Sequence, residues 1–259
     1  MEEKTPGQQL REALLNEKKN GWDVVDEATE RAIADYCEGY KAFLDRGKTE
    51  RDCVDYAVEL AQAAGFVPME RGMELQPGAK VYRVNRSRAL SLAVIGSEGV
   101  SGMQSAFFET FVGDLCASQK VPLRVCLEKS FCLSTDVTAA FDPNFAEVYE
   151  KNNSARVNYG VGLCKYTGSR GKGGASDAGA EVVAYVRRLL DDKGILWQMA
   201  ELGKADQGGG GTVACYMANR NIDTLDAGVP VLSMHSPFET VSKLDCYMTY
   251  AACKAVYQG

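Results

Sequence analysis

Two polar side chains follow apolar runs, the position at which α/β proteins place most of their chemistry. Asp136 follows the run 131–135, and His235, the single histidine of the chain, follows the run 229–234. Ligands of open α/β sheets bind beyond the carboxyl ends of strands, and carboxylate and imidazole groups are standard zinc ligands. A structural interpretation is also open, in which Asp136 caps a turn and His235 is a half-buried, hydrogen-bonded histidine. Spacing alone does not decide between the two.

A glycine-rich segment is a second place where chemistry is expected. Its residues are Asp206, Gln207, Gly208, Gly209, Gly210, Gly211 and Thr212. Backbone N–H groups exposed where such a segment enters a helix can hold an anion, for instance a substrate carboxylate or a tetrahedral oxyanion. The segment lacks the Lys-Ser/Thr ending of a P-loop, which argues against nucleotide binding. A tight turn with close backbone packing explains the glycines equally well.

The elements that must position these residues are predicted from apolar periodicity. Helices are predicted over 25–44, 49–64, 103–116, 177–190, 210–219 and 238–257, and strands over 81–85, 92–95, 130–135, 159–165, 195–201 and 229–234. Thr49, with Asp52 three residues later, predicts a helix cap. The alternation of strands and helices predicts an α/β fold: a mixed, mostly parallel sheet with helices on both faces, in a single domain over 1–259.

Composition narrows the class of protein. The chain is 46% apolar and 25% charged, which is enough to bury one sizeable core. It has 35 acidic and 29 basic side chains and a formal charge of -6, with no Lys/Arg stripe, so no nucleic-acid partner is expected. The charged start and the lack of a long apolar run predict no membrane association. Nine scattered cysteines without a C-x-x-C pair are typical of free thiols, and we expect a cytoplasmic location.

Several segments together resemble one known family. The stretch Ser-Phe-Cys-Leu-Ser-Thr-Asp-Val over 130–137 ends in Asp136-Val137, and Leu-Ser-Met-His-Ser over 232–236 contains His235. They are similar to the S-x-D-V and S-M-H-S strands of the aspartyl aminopeptidase and aminopeptidase I family. The segment 204–214 resembles the loop that lines the family's substrate pocket. Segments 39–45, 49–51, 80–86 and 142–144 also resemble the family, so the match covers nearly the whole chain.

The resemblance implies a zinc metalloaminopeptidase with two zinc ions per site. Such an enzyme removes N-terminal residues, acidic ones in its best-known members, from peptide substrates. Carried over residue by residue, it implies metal ligands at Asp136 and His235. It implies substrate-binding positions at Asp206, Gly208, Gly209, Gly210 and Gly211. The family also has a dimerisation domain and forms large dodecameric shells.

Other parts of the family pattern have no counterpart in this chain. The residues over 92–105 combine two family segments at a shared Ile-Gly, with an apparent deletion junction near 95–97. The first ligand His, the dimerisation domain, the bridging Asp and both glutamates of the family, including its general base, are missing. Glu98 lies after the Ile-Gly and does not replace them. Because catalytic zinc normally has three protein ligands and a water, we expect the chain alone to be inactive or nearly so.

Two alternatives to an enzyme stay open: a non-catalytic binding or regulatory chain, and an inactive truncated product. The length of the native open reading frame separates them from an incomplete record of an active enzyme. A sheet that has lost strands leaves an edge exposed. We therefore expect either self-association into a homo-oligomer or poor solubility.

Overall fold

The computed structural model describes residues 5, 8, 19–70, 73–76, 78–94, 106–165, 167, 168, 176–201, 203, 204 and 209–259. The apparent junction near 95–97, Glu98, Asp206 and Gly208 lie outside these residues. The helices are α1 (Glu27–Arg46), α2 (Glu50–Ala63), α3 (Ala106–Ser118), α4 (Leu123–Glu128), α5 (Ala180–Asp192), α6 (Ala214–Ala218) and α7 (Lys243–Gln258). The strands are β1 (Val67–Pro68), β2 (Lys80–Asn85), β3 (Ala89–Val94), β4 (Phe131–Ser134), β5 (Val137–Ala139), β6 (Val161–Cys164), β7 (Trp197–Met199), β8 (Asp223–Leu232) and β9 (Thr240–Val241).

The start of α2 shows how local chemistry fixes a helix boundary. The Thr49 hydroxyl accepts the backbone N–H of Asp52, and the Asp52 carboxylate accepts the backbone N–H of Thr49. This capping box satisfies two N–H groups that have no partner within the helix. The predicted cap at Thr49 is therefore confirmed.

The larger sheet has the strand order β4-β8-β6-β7, and β5 and β9 also pair with β8. Strands β4 and β5 run parallel to β8, and β6 runs parallel to β7, whereas β6 and β9 are antiparallel to β8. A smaller sheet, β1-β2-β3, has one parallel and one antiparallel pair. The prediction of a mixed, mostly parallel sheet is confirmed.

Helices cover both faces of the larger sheet. Phe131, Leu133 and Leu225 pack into a core with residues of α1, α5 and α7. Cys132, between Phe131 and Leu133 on β4, packs instead against a second core formed by α3, α4 and α6. Successive side chains of a strand point to opposite faces, so this alternation confirms the prediction of helices on both faces of the sheet.

Strand β8 and helix α7 differ in length from the sequence predictions. Strand β8 runs over ten residues instead of 229–234, because its first half pairs with β4 and β6. The helix predicted over 238–257 begins only at Lys243, since the preceding residues pair with β8 as β9 and Ser242 caps the helix. None of the helices in the described part of the chain is long and apolar enough to cross a membrane.

Candidate metal and substrate site

Asp136 lies in the short link between β4 and β5. Its side chain is exposed, and its Oδ1 accepts the backbone N–H of Val137 at 2.8 Å. Its carbonyl oxygen packs so closely on Gly228 of β8 that a Cβ there would lie 2.0 Å from it. Glycine at 228 therefore lets the two backbones approach and fixes the place of Asp136 beside the sheet.

His235 lies in the turn that joins β8 to β9. It is exposed and has a left-handed backbone with φ of 67°. Its backbone N–H donates to Glu239 Oε1 at 2.5 Å across the turn. Left-handed conformation is uncommon for residues other than glycine and occurs mostly in turns. The half-buried environment of the structural interpretation is not observed, since the side chain is open to solvent.

The strand register shows how Asp136 and His235 are placed relative to each other. Val137 pairs with Val229, which sets Asp136 level with Gly228. Strand β8 continues for four more residues to Leu232, about 13 Å at the usual rise per residue, before the turn that holds His235. The described residues contain no group of three or more His, Cys, Asp or Glu side chains arranged to hold a metal ion. By themselves they do not fit a complete catalytic zinc site, which needs three protein ligands. The two ligand assignments stay predictions.

The described part of the glycine-rich segment is attached to the protein at two points. The Gly168 N–H donates to the Gly210 carbonyl at 2.9 Å, which joins the segment to a neighbouring loop. The Thr212 hydroxyl donates to Asp226 Oδ2, which joins it to the middle of β8. Helix α6 begins at Ala214, later than the predicted 210, and is only five residues long. The segment is thus an anchored loop and not the first turn of a long helix.

A row of buried polar side chains crosses the sheet beneath this loop. Ser134 on β4 and Cys164 on β6 both pair with Asp226 of β8, and each of the three is no more than 6% exposed. Burial raises the pKa of Asp226. The Ser134 and Thr212 hydroxyls oppose that rise, and the charge of Asp136 adds to it.

The Cys164 thiol at the end of this row is unreactive, because burial raises its pKa as it raises that of Asp226. Burial raises the pKa of Cys164 to about 12, and its Sγ lies 3.5 Å from the Thr138 hydroxyl. A thiol that stays protonated is a poor nucleophile and a poor metal ligand. Sequence reasoning missed this row, although an acid such as Asp226 within an otherwise apolar run is a usable signal, because buried acids are rare without a partner.

The chain matches the family model described as aminopeptidase I zinc metalloprotease (M18) over residues 93–257. A probable M18 family aminopeptidase 1 of Clostridium acetobutylicum is 38% identical over 246 residues, which cover 91% of this chain and 50% of the relative. A protein of the same description from Borreliella burgdorferi is 45% identical over 170 residues, 63% of this chain and 37% of the relative. The chain spans about half the length, or less, of these curated relatives.

Solved structures agree with the match. The M18 aminopeptidase of Thermotoga maritima superposes with a TM-score of 0.83 over 93% of this chain and 99% of that one, at 21% identity, which shows a shared fold. Aminopeptidase I of Clostridium acetobutylicum is 48% identical with a TM-score of 0.55, over 64% of this chain and 37% of that one. On the family match, the sequence relatives and the fold together, the chain belongs to the M18 family of zinc metallo-aminopeptidases.

Proposed function

We propose that this chain carries part of a zinc aminopeptidase site that removes N-terminal residues from peptides, acidic residues being the first candidates. The observation that carries the proposal is the position of Asp136 and His235, at the S-x-D-V and S-M-H-S motifs inside the region that matches the family. Asp206 and Gly208–211 are proposed to line the substrate pocket, with Gly210 and Thr212 anchored as described. The zinc ions would polarise the scissile carbonyl and activate a water.

We further propose that the chain alone has little or no turnover. Asp136 and His235 lack a third ligand among the described residues, and sequence correspondence assigns no residue to the role of general base. Loss of a general base alone typically costs a factor of about 10²–10⁴ in rate. An apparent internal deletion near 95–97 accounts for the missing ligands and for the absence of a dimerisation domain.

Zinc content and hydrolysis, measured on one preparation, test both proposals. The protein is equilibrated with micromolar zinc and exchanged into metal-free buffer. It is then assayed on p-nitroanilides of aspartate, glutamate and leucine beside Asp136→Asn and His235→Gln. We expect zinc near zero per chain and no hydrolysis above that of the two variants. About two zinc ions per chain, with turnover lost in both variants, would show that the site is complete and the deletion proposal wrong.

A second candidate function is peptide binding without catalysis. It is favoured by the anchoring of the glycine-rich segment at both Gly210 and Thr212, since a loop held in place is suited to recognition. Isothermal titration with short acidic peptides tests it, with Gly209→Ala as the variant because Gly209 has φ of 99°. Saturable binding that weakens in this variant supports the binding function. No binding in the wild-type protein, together with a native reading frame of this short length, favours an inactive truncated product.

Cellular location and assembly are proposed on separate grounds. All nine cysteines are free, which suits a cytoplasmic, reducing compartment. Leu92 and Val94 on β3, the outer strand of the smaller sheet, are 44% and 55% exposed. An exposed apolar edge strand favours pairing with another copy, so we propose a homo-oligomer. A monodisperse monomer in light scattering would contradict it.

A further inference from the structure

Asn20 and Gly21 form the single Asn-Gly pair of the chain, the dipeptide that deamidates most readily. In this reaction the backbone nitrogen of the second residue attacks the side-chain carbon Cγ of the asparagine. Glycine hinders the attack least, because it has no Cβ. The attack also needs a backbone nitrogen that is free of hydrogen bonds and able to move. Whether this pair reacts therefore depends on how the fold holds it.

The fold restrains both reacting groups. The Gly21 N–H donates to the Asn158 carbonyl at 2.6 Å, and Asn20 Oδ1 accepts the Trp22 backbone N–H at 3.1 Å. The Trp22 indole Nε1 donates to Asn158 Oδ1 at 3.0 Å. Gly21 is buried, and a Cβ there would lie 2.6 Å from Leu244 Cδ1. Residues 20–22, the docking segment, must leave these contacts before the two groups can react.

The turn that receives the docking segment is itself held by the core. The Asn158 N–H and the Gly160 N–H each donate to the Asp245 carboxylate at 2.8 Å. Asp245 lies on α7 and is 0% exposed, whereas Trp22 of the docking segment is 39% exposed. Parts of a structure with few buried contacts open at a lower free energy than the whole protein unfolds. Opening therefore separates the docking segment from the turn and leaves the turn in place.

We propose that Asn20–Gly21 is a self-modification site, protected while the docking segment is bound to the Asn158 turn and reactive when it opens. In the open segment the Gly21 nitrogen bonds to Asn20 Cγ and the Cγ–Nδ2 bond breaks. The amide group leaves as ammonia with the proton of the Gly21 nitrogen. Water, the co-reactant, then opens the succinimide at either carbonyl and gives aspartate or isoaspartate at position 20.

The two products differ in their effect on the docking segment. Aspartate keeps the main chain as it was, and it is as good a helix cap as asparagine. Isoaspartate lengthens the main chain by one methylene group directly before Gly21. That residue is packed against Leu244 and bonded to Asn158, so the longer chain does not fit. We expect the isoaspartate form to stay undocked, which makes a reversible opening permanent.

Peptide mass spectrometry measures the reaction at this site alone. Trypsin cleavage after Lys19 and Arg31 gives the peptide 20–31, in which Asn20 is the only amide side chain. The protein is kept at mildly alkaline pH, either native or unfolded in guanidinium chloride, and isoaspartate is detected by enzymatic methylation. Each of the two hydrogen bonds to Asn158 is worth about 2–10-fold in the opening equilibrium, so the native protein should react at least about 10-fold more slowly.

The two tryptophans provide a variant and its matched control. Trp22→Phe removes the indole bond to Asn158 and should speed the native reaction about 2–10-fold. Trp197→Phe removes an indole bond to Asp191 at 2.7 Å and should leave the rate unchanged. Because Trp22 is then the one tryptophan left, its fluorescence reports docking. We expect its emission to move to longer wavelength in the isoaspartate product and to stay unchanged in Asn20→Asp.

Each other outcome overturns the proposal. Equal rates in the native and the unfolded wild-type protein show that docking gives no protection. Equal rates in Trp22→Phe and Trp197→Phe show that the Asn158 contact does not control the reaction. If Trp22→Phe is unfolded by circular dichroism, the wild-type comparison decides. An unshifted emission of the isoaspartate product shows that the segment docks again. No measurement here involves zinc or peptide hydrolysis, so the aminopeptidase proposal stands or falls separately.

Discussion

Gly160, directly before β6, offers a sharp test of how the packing of this fold is built. Its φ is 86°, and a Cβ at this position would lie 2.1 Å from the backbone oxygen of Leu196. Its N–H donates to Asp245 Oδ1 at 2.8 Å, and its carbonyl accepts Gln198 Nε2 at 3.1 Å. Replacing Gly160 with alanine therefore perturbs a backbone conformation, a close contact and two buried hydrogen bonds.

The cost of Gly160→Ala follows from these three effects. A left-handed backbone costs a residue with a Cβ about 1–2 kcal/mol. The contact is with backbone, which cannot rotate away, so the two segments must separate by about 1 Å to reach a normal contact. That movement strains both buried hydrogen bonds, and each buried group left without a partner costs about 1–3 kcal/mol. The expected loss of unfolding free energy is about 3–5 kcal/mol.

Gly194 provides a matched control for the backbone effect alone. Its φ is 64°, but a Cβ there would meet no atom within 4 Å. Gly194→Ala should therefore cost about 1–2 kcal/mol, the conformational part only. The difference of at least about 2 kcal/mol between the two variants measures the contact of Gly160 with Leu196 and the hydrogen bonds that depend on it.

Urea denaturation followed by far-UV circular dichroism measures both variants on the same scale. The midpoints convert to free energies if the slopes of the transitions agree with that of the wild type. Equal losses in the two variants, within about 0.5 kcal/mol, would refute the reasoning, because the contact of Gly160 with Leu196 and its two hydrogen bonds would then add nothing to the backbone effect.

Three further predictions concern single positions. Gly228→Ala places a Cβ 2.0 Å from the Asp136 carbonyl, so we expect a loss of about 1–3 kcal/mol in urea unfolding and weaker retention of any zinc that depends on Asp136. Burial raises the pKa of Asp245 to about 7, above the value of about 3.9 in an unfolded chain. Between these two pH values the folded state binds more protons than the unfolded state, so the unfolding free energy should fall as pH rises from about 4 to 7 and stay level above pH 7. Urea unfolding at a series of pH values measures this slope, and Asp245→Asn should remove it. Thr49→Ala removes the hydroxyl that accepts the Asp52 N–H and should cost about 1 kcal/mol, seen as a lower Tm, whereas an unchanged Tm would contradict a stabilising cap.

Features that depend on neighbours in the chain were predictable from the sequence. The capping box at Thr49 needs only residues three apart, and the structure has it as predicted. The alternation along β4, with Phe131 and Leu133 on one face and Cys132 on the other, follows from the two-residue period of a strand. The family resemblance likewise rests on contiguous motifs, and the comparisons bear it out over 93–257.

Features that depend on register were decided only by tertiary structure. The sequence places Asp136 and His235 each after an apolar run, but the pairing of Val137 with Val229 sets Asp136 level with Gly228 instead of with the end of β8. Periodicity cannot provide this information, because shifting a strand by two residues preserves its pattern of buried and exposed positions.

The buried polar row beneath the glycine-rich segment is likewise a feature that only the tertiary structure decided. Ser134, Cys164 and Asp226 come from three strands that are distant in sequence, and only the ladders of β8 bring them side by side. The sequence by itself determined the class of fold, the helix cap and the family. The tertiary structure decided which side chains share a face, because non-local strand pairing is set by the packing of the whole sheet and not by any one segment.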